Sequence, residues 1–335
     1  MKIDIKEKTK VYVLCPPNIK TGGTELAHQL VYLLNKNNIE AYITYLVEKH
    51  TVKICDAFYQ YCSESKTLNE VDDIQENYIV IPEAWTFLAD RYSKITKAIW
   101  WMSVDNYLKN KSTLFALRRY GFSQAVKTCI KNITRQKTQM SIKKLKNIDY
   151  HFIQSEYARR YLEKYGISSM WLSDYINDIY RKINYDDCLK ENIVCYNPAK
   201  GKHITQKIIS NYEGSAQWVP LINMTNLEMQ NTLKKAKVYI DFGNFPGKDR
   251  IPREAAASYC CIITGMFGAS GNSIDLPIPG KYKIDRPISK IKDIISLIND
   301  CIDNYDSRIT EFDDYRRAIL REKHSFEQQV KDIFC

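Results

Sequence analysis

The 335-residue chain is predicted to be an α/β protein. Two Rossmann-like, doubly wound domains would face a cleft, with C-terminal helices returning to the first domain. Three observations predict this. Strand-length apolar runs alternate with segments of helical period, as in parallel sheets covered by helices on both faces. The alternation restarts after a polar stretch at 173–191 that contains Asp186 and Asp187, so there are two such sets. The length also exceeds one typical core.

The first set begins with a strand at 11–17. A helix over 24–36 follows, with Leu26, Leu30, Leu33 and Leu34 near one face. Strands follow at 41–46 and 78–82, then a helix from about Thr86 and an apolar, aromatic strand at 97–103. A basic helical insertion over 107–148 comes next. A strand at 150–155, a helix at 156–165 and a short strand at 170–172 close the set. The second set has strands at 192–197 and 216–222, each followed by a helix (203–212 and 226–235). From Ile288 the chain reads as helix, with Ile291, Ile294, Ile295 and Ile298 on one face and Phe326, Val330 and Ile333 on another. The expected domains are therefore 1–175, 190–305, and terminal helices over 306–335 that pack back on the first.

Residues 238–265, VYIDFGNFPGKDRIPREAAASYCCIITG, are the most informative stretch. A strand (238–240) runs into a loop with Gly243, Pro246 and Gly247. Then come Lys248, Asp249, Arg250, Arg253 and Glu254 around Pro252, an Ala-rich helix, and a strand at 260–263. This is the layout by which parallel sheets bind phosphorylated ligands. Proline suits a first helical turn, where its missing N–H is not needed. The free N–H groups there and the three cations make an anion site, and Glu254 is placed to accept hydrogen bonds from sugar hydroxyls. A solvated charged loop is the plainer reading.

Composition is that of a folded protein, 44% hydrophobic and 26% charged. The ten cysteines form no C-x-x-C pair and no zinc spacing. They read as small buried hydrophobes of a reducing cytoplasm. Residues 1–10 are polar, so no signal peptide is expected, and no run reaches the roughly 20 apolar residues of a membrane span. Cytoplasmic localisation is expected. The net charge of +10 is concentrated: residues 118–148 hold nine Lys or Arg and no Asp or Glu. Lys127, Lys131 and Arg135 recur at i, i+4, while Ala125, Val126, Cys129, Ile130 and Ile133 fall elsewhere on the same helix. The segment 118–146 is thus a candidate surface for anionic lipid at the inner face of a membrane, or for an anionic substrate. A merely solvated basic face is the alternative. The aromatic interleaving of single-strand binders is thin, and no nucleic-acid partner is expected.

Ligands of open α/β sheets sit beyond the carboxyl ends of the strands. After the first strand stand Gly22 and Gly23, which permit positive φ and close backbone approach, with Thr24 as candidate N-cap. A plain turn is the commoner meaning of a bare glycine pair. After the 97–103 strand stand Ser103 and Asp105. Asp105 reads either as a base or hydroxyl-orienting carboxylate, or as a helix cap. Glu83, in IPEAW, is a second strand-end carboxylate with a structural alternative. After the first strand of the second set come Asn197 and Lys200-Gly201, a natural phosphate contact, or a solvated lysine beside Lys202.

With these residues together, the chain resembles GT-B glycosyltransferases, in particular the retaining, nucleotide-sugar-dependent family of bacterial surface-glycan (capsule, O-antigen) synthesis. TGGTELAHQLVYLLNKN (21–37) is similar to that family's glycine-glycine-acid helix start. HFIQSEYARRYLEKYGI (151–167) is similar to the segment that ends its first domain, YNPAKG (196–201) to its strand and Lys-Gly contact, and PREAAASYCCIITG (252–265) to its Glu-Ala-x-Ala helix. The resemblance covers about residues 11–300. It implies Gly22 and Gly23 against the donor's diphosphate and sugar, Lys200 on the diphosphate, Glu254 on the ribose, and Ser103 and Asp105 near the donor sugar or acceptor. Two positions depart from the pattern and bear on donor identity. Pro246 stands where a sugar-contacting Glu is common, and Asn197 close to a common Arg. Lys248, Arg250 and Arg253 are candidates to supply that charge.

The expected reaction is sugar transfer from a nucleoside diphosphate sugar to a hydroxyl of a glycan or lipid-linked acceptor, in cell-surface polysaccharide synthesis. Fixed cations and helix-end N–H groups would stabilise the departing diphosphate. No metal or cofactor beyond the donor is expected, since there is no Asp-x-Asp. Retention is favoured over inversion, for which Asp105 would be the base. A nucleotide-sugar epimerase of similar architecture and a non-catalytic glycan- or nucleotide-binding module are the alternatives.

Overall fold

A computed structural model describes residues 2–49, 52–134 and 138–335. The chain divides into two compact units. Unit 1 comprises residues 1–174 with 324–335, and unit 2 comprises residues 175–323.

Unit 1 contains β1 (Lys10–Cys15), α1 (Gly22–Lys36), β2 (Glu40–Tyr45), β3 (Ser65–Thr67), β4 (Tyr78–Pro82) and β5 (Thr96–Trp101). Four helices follow: α2 (Val104–Lys111), α3 (Thr113–Tyr120), α4 (Phe122–Thr134) and α5 (Ile142–Leu145). β6 (Tyr150–Ile153), α6 (Glu156–Glu163) and β7 (Met170–Trp171) complete its sheet. The seven strands are parallel in the order β3-β2-β1-β4-β5-β6-β7. The order reverses between β1 and β4. β3 escaped the sequence reading because a three-residue polar edge strand has no apolar period. The helix expected from Thr86 is a 3₁₀ segment, Glu83–Arg91, broken at Trp85.

Unit 2 opens with α7 (Asp178–Arg181), then β8 (Glu191–Tyr196), α8 (Lys202–Ser210), β9 (Gln217–Pro220), α9 (Asn226–Lys235), β10 (Ala236–Asp241), α10 (Arg250–Ala257), β11 (Cys261–Gly265) and β12 (Lys283–Ile284). It ends in α11 (Ile291–Asp303), α12 (Tyr305–Thr310) and the first half of α13 (Asp313–Phe334). Its five parallel strands run β12-β11-β10-β8-β9, reversing between β8 and β10. Val238, Tyr239, Ile240, Ile262 and Ile263 are fully buried, as continuous runs covered on both sheet faces should be.

The boundaries differ from expectation for a packing reason. Ile176 and Tyr180 lie in the polar-looking stretch before β8, yet they are buried in the unit 2 core. Residues 306–323, expected with the first domain, also belong to unit 2, because Ile309, Phe312, Tyr315 and Ile319 complete that core. Only 324–335 belong to unit 1, where Phe334 meets Phe152 with ring centroids 5.8 Å apart.

Candidate functional site

In unit 2 the order reversal places the loops after β8 and β10 side by side, the position where open α/β sheets hold ligands. The fit of these loops rests on two glycines. Gly201 caps α8 at φ +58°, and a Cβ there would lie 2.5 Å from the Phe242 carbonyl carbon. A Cβ on Gly243 would lie 2.3 Å from that of Lys200. The loops are therefore pressed together, and only glycine fits at either point.

Lys200 leaves the first loop and pairs with Asp249, the N-cap residue of α10, at 2.5 Å. Its ammonium also stands 5.5 Å from the Phe245 ring centroid. Asn197 turns this loop, its side-chain oxygen accepting the Ala199 N–H at 3.0 Å. Lys248 pairs with Glu322 of α13 at 2.7 Å. Arg250 stands half-buried in the first turn of α10, and Glu254 is buried one turn on.

Arg253 corrects the sequence reading. Its guanidinium does not face the loop as a ligand cation. It is completely buried, bonded to Glu322 at 2.8 Å and to the carbonyls of Lys248 (3.0 Å) and Asp249 (3.1 Å). Its role is to hold the loop's shape.

The sequence reading also passed over Asp241, at the end of β10. It accepts the Gly243 N–H at 2.8 Å and the Tyr239 hydroxyl at 3.1 Å. Burial raises its pKa to about 6, although Lys200 nearby lowers it. A polar residue closing an apolar strand before a glycine was the available signal. Glu322 had none, because nothing in a long charged helix marks one carboxylate as inward.

In unit 1 the reversal lies between β1 and β4. Thr21, not Thr24, is the N-cap of α1, and Thr24 completes a reciprocal capping box. Gly22 and Gly23 open the helix, and neither has positive φ. A Cβ on Gly23 would find only the Met102 sulfur, at 3.7 Å, so packing within the unit does not demand glycine there.

Ser103 and Asp105 have structural places. The Ser103 hydroxyl caps α2, accepting from the Asn106 N–H at 3.4 Å. Asp105 is completely buried and accepts the Tyr157 hydroxyl at 2.9 Å, so it is enclosed rather than presented as a base. Glu83, directly after β4, flanks the reversal itself. It is buried, accepts the Met102 N–H at 3.0 Å, and burial pushes its pKa up to about 7. Among the described residues no three His, Cys, Asp or Glu side chains gather as metal ligands.

No family model matches the sequence, and no curated protein matches it. Solved structures do match. Anabaena HepE in complex with UDP and glucose superposes with a TM-score of 0.64 at 10% identity, over 96% of this chain and 98% of that one. Sucrose-phosphate synthase from Thermosynechococcus elongatus gives 0.63 at 11% identity, over 97% and 98%. TarM gives 0.62 at 10% identity, over 97% of each chain. The two-domain parallel α/β fold expected from the sequence, that of GT-B proteins, is thus the fold of this chain.

Proposed function

We propose that the chain is a glycosyltransferase that moves a sugar from a nucleoside diphosphate sugar to a hydroxyl of a glycan or lipid-linked acceptor, in cell-surface polysaccharide synthesis. The observation that carries the proposal is the gathering of Lys200 and Lys248 on loops, and of Arg250 in the first turn of α10, at the strand-order reversal of unit 2. The chain shares its fold with a protein solved with UDP and glucose, which supports a uridine nucleotide as the donor's carrier.

When the bond from the sugar's anomeric carbon to the diphosphate breaks, negative charge builds on the departing phosphate oxygen. Lys200 and Arg250 stabilise that charge, with Lys248 beside them. Lys200 and Lys248 already hold Asp249 and Glu322, so these carboxylates keep the ammonium groups placed before the donor arrives. The diphosphate takes a share of each cation from its carboxylate. Glu254 accepts from the ribose hydroxyls.

The acceptor oxygen bonds to the anomeric carbon on the face that the diphosphate leaves, and its proton passes to the leaving phosphate oxygen. That retaining course needs no protein base, which suits the enclosure of Asp105. It draws on no metal and no cofactor beyond the donor.

A panel of nucleotide sugars tests the proposal. A true donor at about 100 times its Kd should stabilise the fold by about 2.7 kcal/mol, seen as a raised Tm, and should be slowly hydrolysed or transferred. A panel in which no compound raises the Tm or is turned over removes the proposal. A Tm rise without turnover would leave only a binding module.

A further inference from the structure

Helix α4 is amphipathic in the inverse sense. Its protein-facing side carries Ala125 and Thr128, both buried. The Thr128 hydroxyl donates to the Lys109 carbonyl at 2.7 Å, and the Asn132 side-chain amide donates to the Lys111 carbonyl at 3.1 Å. The outward side carries Phe122, Val126, Ile130 and Ile133, with 76%, 39%, 55% and 75% of their surface exposed. Their spacing of four, four and three residues is that of one helix face. α3 repeats the arrangement, burying Ala116 while Leu114 and Leu117 stand 56% and 45% exposed.

A helix that served only to cover a core would turn its large apolar side chains inward. Here small and polar groups make the packing contact, and the large ones are left outside. Such a face marks an interaction surface.

Charge identifies the partner. Lys127 and Lys131 each directly follow an exposed apolar residue of α4, and Arg118 and Arg119 are exposed on α3 or close its last turn. From 106 to 148 the sequence has no Asp or Glu. A second copy docked through this face would set these cations against their own kind. An anionic bilayer offers hydrocarbon for the apolar ridge and negative headgroups for the cations flanking it.

We propose that the α3–α4 hairpin seats the protein on an anionic lipid bilayer, with Phe122, Ile130 and Ile133 entering the acyl boundary and Lys127 and Lys131 at headgroup level. Arg135, which the sequence places in the same basic series, lies outside the described residues. The inference is independent of the catalytic reading, because it needs no donor and no turnover.

Co-sedimentation of the full chain with phosphatidylcholine vesicles, with and without phosphatidylglycerol, tests it. The wild type should pellet with the anionic vesicles only. Lys127→Gln with Lys131→Gln should weaken binding roughly tenfold or more. Phe122→Ser with Ile130→Ser and Ile133→Ser should abolish it, while the corresponding triple change to Leu preserves it. All these side chains are at least partly exposed, so Tm should stay at the wild-type value, which checks folding. Equal binding by the wild type and the serine variant overturns the proposal, as does indifference of the wild type to anionic vesicles. A lipid-free dimer that the serine variant dissociates would also overturn it, by making a second copy the occupant.

Discussion

Arg253 donates to one oxygen of Glu322 at 2.8 Å, while Lys248 holds the other oxygen at 2.7 Å. One carboxylate of α13 thereby ties a fully buried guanidinium and a largely buried ammonium to the loop that precedes α10. Removing one member of such a buried set leaves an uncompensated charge, which costs about 3–5 kcal/mol. Glu322→Gln should therefore destabilise unit 2 by about that amount. A urea titration followed by circular dichroism, to which the helices of both units contribute, gives the midpoint. A midpoint equal to wild type would show that the carboxylate is dispensable.

Lys200 and Arg250 should affect catalysis rather than folding, whereas Lys248, held in the Glu322 set, should affect both. Lys200→Ala and Arg250→Ala should each lower kcat/KM by the equivalent of about 2–4 kcal/mol, as for other preorganised stabilisers of developing charge. Lys248→Ala should do the same, in addition to leaving Glu322 with only Arg253. The measurement is initial-rate transfer with the donor found in the nucleotide-sugar panel. Wild-type rates in the Lys200 and Arg250 variants would take both residues out of the site.

Gly201→Ala probes the contact between the two loops of unit 2. The residue is left-handed at φ +58°, and its added methyl would meet the Phe242 backbone at 2.5 Å. Backbone atoms cannot swing aside as a side-chain end can. A loss of about 1–3 kcal/mol is expected, together with weaker donor binding, because the displaced loop carries Lys200. Gly280→Ala is the control, since a Cβ there meets nothing within 4 Å.

The strands with apolar runs were legible in the sequence because burial on both sheet faces demands such runs, as in β10 and β11. The positions of Lys200, Lys248 and Arg250 followed from the same reasoning, since strand ends are where charged loops begin. What pairs with them was not legible. Arg253 and Arg250 look alike in sequence, and only the approach of Glu322, sixty-nine residues after Arg253, separates a shape-holding cation from a loop-side one. The basic segment 118–146 reads as a candidate lipid surface from its cations, with the apolar side chains of α4 elsewhere on the helix; that those apolar side chains are themselves the exposed face was not legible. Periodicity shows that a helix has two faces, but it does not say which is turned to the protein.

The last prediction concerns Glu83, which sits where the strand order of unit 1 reverses. It is fully buried, with the Met102 N–H at 3.0 Å and the Asn106 amide at 3.5 Å as donors. Burial disfavours its charged form and raises its pKa from 4.5 to about 7. The folded chain therefore keeps a proton that the unfolded chain has released over that interval. The sign follows: this contribution to stability is full below pH 4.5, fades as pH rises, and is lost above about 7. The interval corresponds to about 3 kcal/mol. Glu83→Gln has no proton to lose and still offers an oxygen to the Met102 N–H. The variant should gain on the wild type by about 3 kcal/mol as pH rises through this range, read as the difference between their urea unfolding free energies. Parallel pH profiles for the two proteins would mean that Glu83 ionises like an exposed glutamate and that its burial is relieved by water or by motion of the 83–91 segment.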